Sequence, residues 1–167
     1  MAALETHLST TDFHPIDLVQ HLADSRDWEF DRIGDDRIAL AVDGAWRTYA
    51  LSLSWSGADE TLRLLCSFDM DPPEAAQGPL RHVMDLANER VWTGAFCLWS
   101  EEKLMVWRYG LTLAGGGAAS AGQIDAMMHD ALIACERFYP AFQLVAFDAA
   151  DPDAALDMAI DEAYGRA

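Results

Sequence analysis

Two aspartates near the middle of the chain, Asp69 and Asp71, have the residue type and spacing that acid–base chemistry uses. Side chains two residues apart on a strand lie on the same face of a sheet. Two carboxylates held close together can raise the pKa of one of them or bind a hard cation. However, Pro72 indicates an exposed strand end, and no nucleophile or base is tied to the pair in sequence. A hydrolase that uses Asp69 or Asp71 is therefore a minor hypothesis.

The other motifs that could carry chemistry are incomplete. The glycine run at 115–117 lacks the lysine and hydroxyl residue that follow the last glycine of a P-loop, so we expect a linker there. Ser56 lacks the GxSxG context of a hydrolase nucleophile. The five histidines lack the spacing of metal ligands; they are His7, His14, His21, His82 and His129. We therefore expect no catalytic residue, metal or cofactor, and a protein that is not an enzyme.

Cysteine usage and the N-terminal sequence indicate a cytoplasmic protein. Cys66, Cys97 and Cys135 are odd in number, widely spaced and flanked by apolar residues, which argues against a disulfide framework or a zinc knuckle. They are expected to be buried thiols in a reducing compartment, where burial disfavours the reactive thiolate. The first twelve residues lack the basic and apolar regions of a signal peptide. No segment approaches the roughly 18 apolar residues of a membrane span.

The charge of the chain limits its partners. Its 28 acidic and 11 basic residues give a formal net charge of −17. Such a charge repels nucleic-acid backbones and anionic lipid, so neither is an expected partner. The acidic residues are expected to form a solvated surface, which suits solubility or a basic partner.

Strict alternation of apolar and polar residues predicts an antiparallel sheet with one buried and one wetter face. Four strands are predicted between residues 28 and 70, separated by turns at 34–36, 43–44 and 57–59. Two more strands follow a helix, with Glu101-Glu102 at their turn. The apolar positions of the buried face are Trp28, Phe30, Ile38, Leu40, Val42, Tyr49, Leu51, Leu53, Trp55, Leu62, Leu64, Cys66, Phe68, Met70, Phe96, Leu98, Met105, Trp107, Tyr109 and Leu111.

Helical periodicity predicts four helices around this sheet. The first follows Asp12 or His14 with Pro15 in its first turn, and the second begins near Gly78. The third is long, opens on a capping box of Ser120 and Gln123, and contains Pro140, where we expect a kink or a break. A short helix closes the chain. The order predicts an α+β fold, with a flexible tail at 1–12 and one domain at 13–167.

Aromatic residues supply the candidates for an interaction surface. The stretch ERFYPAFQLVAF at 136–147 follows helical spacing, so most of its rings belong to one apolar stripe. Tryptophan serves both cores and contact hot spots, and Trp46 and Trp92 fall beside turns. The candidate interaction residues are Trp46, Trp92, Tyr139, Phe142 and Phe147.

Three strings carry a resemblance to a known family. They are LANERVWTGAFCLWSEEKLMVWRYGLTLAGG at 86–116, CERFYPAFQLVAF at 135–147 and DPDAALDMAIDEAYGRA at 151–167. Together they resemble the YbjN domain family of alphaproteobacterial type, over about residues 13–167. The chain departs from that pattern at 147–150, where it reads FDAA and relatives tend to carry a tryptophan and a glycine pair. The resemblance implies a fold similar to type III secretion chaperones, which is commonly dimeric, a sensory-transduction or stress-regulator role, and no assigned catalytic residues.

Two function hypotheses follow. The first is a non-enzymatic, chaperone-like or regulatory module that binds an unidentified protein and acts as a homodimer. The second is a small-molecule sensor whose pocket lies between the sheet and the long helix, beside Tyr139, Phe142 and Phe147.

Overall fold

The computed structural model describes residues 13–165, so the tail expected at 1–12 lies outside the described residues. The elements follow the predicted order of one helix, four strands, one helix, two strands and two helices. The helices are α1 (Pro15–Ser25), α2 (Glu74–Asn88), α3 (Ala121–Phe147) and α4 (Pro152–Gly165). The strands are β1 (Glu29–Ile33), β2 (Arg37–Asp43), β3 (Thr48–Ser56), β4 (Thr61–Asp69), β5 (Ala95–Trp99) and β6 (Leu104–Thr112). The α+β class is confirmed.

All six strands form one antiparallel sheet in the order β1-β2-β3-β4-β6-β5. The first four strands are neighbours because short turns join them. The chain then leaves the sheet through α2 and returns as the edge strand β5. The β5–β6 hairpin places β6 between β5 and β4, so two strands distant in sequence become neighbours in the middle of the sheet.

The helices pack on one face of the sheet and bury the predicted apolar stripe. Ile38, Leu51, Leu64 and Trp107 are fully or almost fully buried there. On the helix side, α3 contributes the largest share of the core, because one stripe along its length is apolar. Burial of this apolar surface is the main free energy that holds the layers together.

The residues at and near each helix end determine where the helix begins or ends. The Ser120 hydroxyl accepts a hydrogen bond from the Gln123 amide at 3.1 Å, and the Gln123 side chain accepts one from the Ser120 amide at 2.9 Å, which confirms the capping box. Of the kink or break expected at Pro140, the break is wrong, since α3 continues unbroken to Phe147. The expected start of α2 is also wrong: the helix begins at Glu74, because Pro73 serves as its N-cap and Gly78 lies inside it.

Aromatic rings join α3 to the sheet. Phe142 packs edge-to-face against Phe96, with ring centroids 5.0 Å apart, and stacks on Phe68 at 6.4 Å. Phe138 packs against Phe96 at 5.8 Å, and Tyr139 against Phe68 at 5.2 Å. These contacts assign most of the aromatic stretch 136–147 to the core.

The β5 edge of the sheet is occupied by a side chain. The Asn88 amide, at the end of α2, donates to the Phe96 carbonyl at 3.1 Å, and its oxygen accepts from the Phe96 amide at 2.7 Å. The two outward backbone groups of Phe96 therefore have partners other than a strand.

Candidate functional site

The fold leaves the face of the sheet opposite the helices uncovered, and we call it the open face. Its residues alternate with the core positions along every strand. Ala41, Ala50 and Ser52 are exposed there, whereas Val106 is buried between its strand neighbours. The open face comprises Glu29, Asp31, Ile33, Arg37, Ala39, Ala41, Asp43, Thr48, Ala50, Ser52, Ser54, Thr61, Arg63, Leu65, Ser67, Asp69, Ala95, Cys97, Trp99, Leu104, Val106, Arg108 and Gly110.

The centre of the open face consists of small, uncharged side chains. One row across the sheet joins Ala41, Ala50, Ser67, Val106 and Cys97 as paired positions in the strand register. Side chains of this size allow another backbone or sheet to approach closely. A surface of this kind suits contact with protein, because it combines apolar area with little charge to desolvate.

Charged residues lie at opposite ends of this centre. Arg37 and Arg63 belong to one row, since both pair with Ser54 in the register. Asp43 and Asp69 lie at the other ends of the same two strands. The open face is therefore positive at one end and negative at the other.

Two arginines on the open face stand apart from the other basic residues. Among residues 13–165, Arg37 and Arg108 are the exposed arginines that form neither an ion pair nor a side-chain hydrogen bond, since the exposed Arg81 and Arg90 donate to neighbouring oxygens. Arg63 pairs with Asp59 at 2.6 Å, but its side chain remains half exposed. The open face thus presents cations that a carboxylate from outside can reach.

A shallow groove of about 540 Å³ runs across the positive end of the open face. Gly110, which has no side chain, forms part of its floor opposite Arg63, its partner in the strand register. The remaining lining includes Leu65, Trp99 and Arg108. The groove can receive an apolar side chain together with a carboxylate.

A single carboxylate fastens the β2–β3 hairpin to α3. Glu136 accepts hydrogen bonds from the backbone amides of Ala45 at 2.9 Å and Trp46 at 3.4 Å. Gly44 is required beside it, since a Cβ there would collide with the Glu136 carboxylate and the Tyr49 ring. Burial, followed by the neighbouring Glu136 carboxylate, raises the pKa of the Tyr49 phenol far above its ordinary value. The two hydrogen bonds thus tie the hairpin loop to α3.

The five predicted interaction residues do not form one surface. Phe142 is fully buried, so it belongs to the core, and Tyr139 is half-buried beneath the Arg47 guanidinium. The other three are exposed at different places. Trp46 lies in the β2–β3 hairpin loop, Trp92 lies between α2 and β5 with its whole side chain exposed, and Phe147 is 51% exposed at the end of α3.

Phe147 lines a second groove of about 540 Å³, at the junction of three helices. Its walls come from the start of α2, the end of α3 and the start of α4, including Pro73, Pro79, Val145 and Pro152. The groove is apolar apart from the aspartate that precedes α4.

The two aspartates that suggested acid–base chemistry have separate partners. Asp69 pairs with Arg47 at 3.3 Å, and Asp71 pairs with Lys103 at 2.9 Å. The hydrogen bond to Asp71 raises the pKa of the Lys103 ammonium. Since each carboxylate has its own cation, the arrangement offers no shared proton of the kind that a catalytic carboxylate pair uses.

The remaining candidate features are metal ligands, membrane-spanning helices and reactive thiols. Within residues 13–165, no cluster of three or more histidine, cysteine, aspartate or glutamate side chains is placed to hold a metal ion. None of the helices in this part of the chain is long and apolar enough to cross a membrane.

Cys66 and Cys135 are fully buried with their sulfur atoms 3.5 Å apart. The contact with Cys66, followed by burial, raises the pKa of the Cys135 thiol, which disfavours its thiolate.

A small cavity of about 210 Å³ lies between β6 and α3. Trp107, Tyr109, Gln123 and Asp130 line it, and the Trp107 Nε1 is buried without a hydrogen-bond partner among the described residues. The second function hypothesis placed its pocket beside other aromatic residues of α3. The cavity lies instead near the N-terminal half of that helix.

Comparison with known proteins identifies the family. The sequence profile of the YbjN family, described as "putative bacterial sensory transduction regulator", matches residues 15–144. No curated protein matches the chain in sequence. The chain is similar in fold to the crystal structure of YbjN from E. coli, described as "a putative transcription regulator", with a TM-score of 0.51, 12% identity, and coverage of 80% of this chain and 90% of that one.

A second solved structure, that of the HopA1–SchA chaperone–effector complex, has a chain that matches with a TM-score of 0.48 and 16% identity, covering 71% of this chain and 86% of that one. The profile match extends over most of the sequence, including α1, the whole sheet and α2. The chain belongs to the YbjN family.

Proposed function

We propose that this protein is a non-enzymatic, chaperone-like or regulatory module that binds another protein, and that it acts as a homodimer in the cytoplasm. The observation that carries the proposal is the open face, with an uncharged centre of alanine, serine and valine and charges at both ends. The regulatory description of the family supports this function.

The central position of the open face gives the test. Ala50 is exposed in the middle of β3, and an arginine there would hold any bound protein away from the sheet. We expect Ala50→Arg to abolish capture of the proteins that the wild-type chain enriches from a lysate of its own host. Quantitative mass spectrometry after affinity purification measures the difference.

A matched control separates the surface from the added charge. Ala154 is exposed on α4, away from the sheet, so Ala154→Arg adds the same side chain elsewhere. Its captured proteins should match those of the wild type, and both variants should unfold at the wild-type temperature. Equal capture by Ala50→Arg and the wild type would count against the open face as the binding surface.

The cavity beside Trp107 favours a second candidate function, that of a small-molecule sensor. Its unpartnered indole N–H would donate to an acceptor on a small metabolite, and its remaining lining is mostly apolar. A ligand at a hundred times its Kd should add about 2.7 kcal/mol to the free energy of unfolding. A thermal-shift screen of metabolites checks this, and Trp107→Phe should abolish the shift. A screen without any hit that depends on Trp107 would leave protein binding as the function.

A further inference from the structure

We propose that the cavity between β6 and α3 binds a small organic ammonium cation that carries one oxygen acceptor, such as an amino alcohol. The inference rests on the second candidate function, the small-molecule sensor, because it names the class of ligand for the same cavity. Four observations carry it: a buried indole N–H without a partner, an unpaired carboxylate, two aromatic rings and the charge of the whole chain.

The buried donor of the cavity is the indole of Trp107. Its side chain is fully buried, and its Nε1 has no hydrogen-bond partner among the described residues. Buried indole N–H groups normally have a partner, because an unpaired buried donor is costly. A Cβ placed on Gly94 would collide with Cε2, the carbon bonded to Nε1, so this part of the ring lies against Gly94. The preceding residue, Thr93, lines the cavity, so a ligand there can offer an acceptor to the N–H.

Asp130 on α3 supplies the charge of the cavity lining within the described part of the chain. The Thr93 hydroxyl donates to its Oδ2 at 3.3 Å, and its Oδ1 accepts no side-chain hydrogen bond from residues 13–165. No basic side chain of the same residues pairs with it. A carboxylate without a cation of its own attracts a positively charged ligand, and its available oxygen can accept from an ammonium N–H.

Two aromatic rings line the same cavity and favour an organic cation. Trp107 and Tyr109 stack with their ring centroids 6.1 Å apart. Aromatic rings attract a cation that lies within about 6 Å of the ring centroid. Leu111 and Met127 add apolar surface on which alkyl groups can pack. A calcium or magnesium ion would find too few oxygen ligands beside these side chains to replace its water.

The volume of the cavity limits the size of the ligand. The cavity measures about 210 Å³. An apolar cavity of about 150 Å³ holds a ring of six carbon atoms, so about eight non-hydrogen atoms fit here. This is the size of a simple amino alcohol or amino amide, and it is too small for a nucleotide.

The charge of the whole chain disfavours the opposite class of ligand. A net charge of −17 enriches cations near the surface and repels phosphates and carboxylates. An anionic ligand would also meet Asp130 inside the cavity. The acceptor for the Trp107 N–H is therefore best supplied by the oxygen of a molecule that is itself a cation.

Calorimetric titration of the full-length chain tests the ligand class with three probes, choline, ethanolamine and glycinamide. At least one of them should bind one-to-one with a Kd of about 1 mM or lower. Each probe has a neutral analogue in which carbon replaces the ammonium nitrogen: neohexanol, n-propanol and propanamide respectively. The analogue of the tightest probe should bind at least about tenfold more weakly, because it keeps the shape and the oxygen but loses the charge.

Two variants assign the binding to this cavity. Asp130→Asn should raise the Kd of the tightest probe about tenfold or more, and Trp107→Phe should raise it about fivefold or more. Asp130 is exposed, so its substitution should leave the unfolding temperature unchanged and remains informative if Trp107→Phe fails to fold.

Matched substitutions outside the cavity lining serve as controls. Asp157→Asn on α4 and Trp28→Phe before β1 make the same chemical changes elsewhere, and each should leave the Kd within about twofold of the wild type.

The outcomes separate the ligand class from the sensor function. The inference is overturned if none of the three probes binds, if the neutral analogues bind as tightly as the cations, or if Asp130→Asn binds as tightly as the wild type. If the metabolite screen instead finds a neutral or anionic ligand whose thermal shift depends on Trp107, the sensor function stands and only the ligand class is wrong. If no ligand of any class gives a shift that depends on Trp107, the sensor function itself is wrong.

Discussion

Phe142→Ala should lower the free energy of unfolding by about 3–5 kcal/mol. The ring is fully buried and contacts Phe96, Phe68 and Phe138 with centroids 5.0 to 6.5 Å apart, so its removal leaves a cavity between α3 and the sheet. Single domains are stable by only about 5–15 kcal/mol, so this change removes a large part of the total. Denaturant unfolding followed by circular dichroism measures it.

Phe147 offers the matched control for this experiment. It is the same residue type on the same helix but is 51% exposed, so Phe147→Ala should change the stability by less than about 1 kcal/mol. If Phe142→Ala left the stability unchanged and weakened association instead, the ring would be a contact hot spot and its assignment to the core would be wrong.

Gly94→Ala should lower the free energy of unfolding by about 2–5 kcal/mol, for two reasons that add. The backbone of Gly94 has a φ of +70°, which costs a residue with a Cβ about 1–2 kcal/mol. The new Cβ would also collide with the indole ring of Trp107, which is fully buried. Overpacking of this kind costs about 1–3 kcal/mol. Thermal and denaturant unfolding measure the sum.

Gly34→Ala separates the two causes. Gly34 has nearly the same φ, +69°, but no atom lies within reach of a Cβ there. Its substitution should therefore cost only the backbone strain, about 1–2 kcal/mol. Equal losses for the two variants would show that Trp107 can move aside, and that the packing around β6 is looser than its burial indicates.

Patterns among residues close together in the sequence made much of the fold predictable. The alternation along Thr48–Ser56 and Thr61–Asp69 identified both strands and their buried faces, because side-chain direction in a strand has a period of two. The capping box at Ser120 was also predictable, since its two hydrogen bonds depend on residues only three positions apart.

Long-range packing was not predictable in the same way. No local signal shows that β6 enters the sheet beside β4, which builds the uncharged centre of the open face from strands far apart in sequence. Exposed aromatic rings therefore do not indicate that face, because its central residues are small and carry no signal individually. Pro140 does not break α3, because packing of the helix against the sheet outweighs one lost backbone hydrogen bond.

The side-chain amide of Asn88 has a consequence for the behaviour of the protein at high concentration. Fibrils and strand-swapped aggregates grow by adding strands to a free sheet margin. At β5 that route is closed at Phe96, because Asn88 mimics the strand that would otherwise arrive. At the opposite margin, Glu29, Asp31 and Arg32 place charges along β1 that an incoming strand would have to desolvate. Both margins therefore disfavour the addition of a further strand, and the open face is the part of the sheet that stays accessible to another protein.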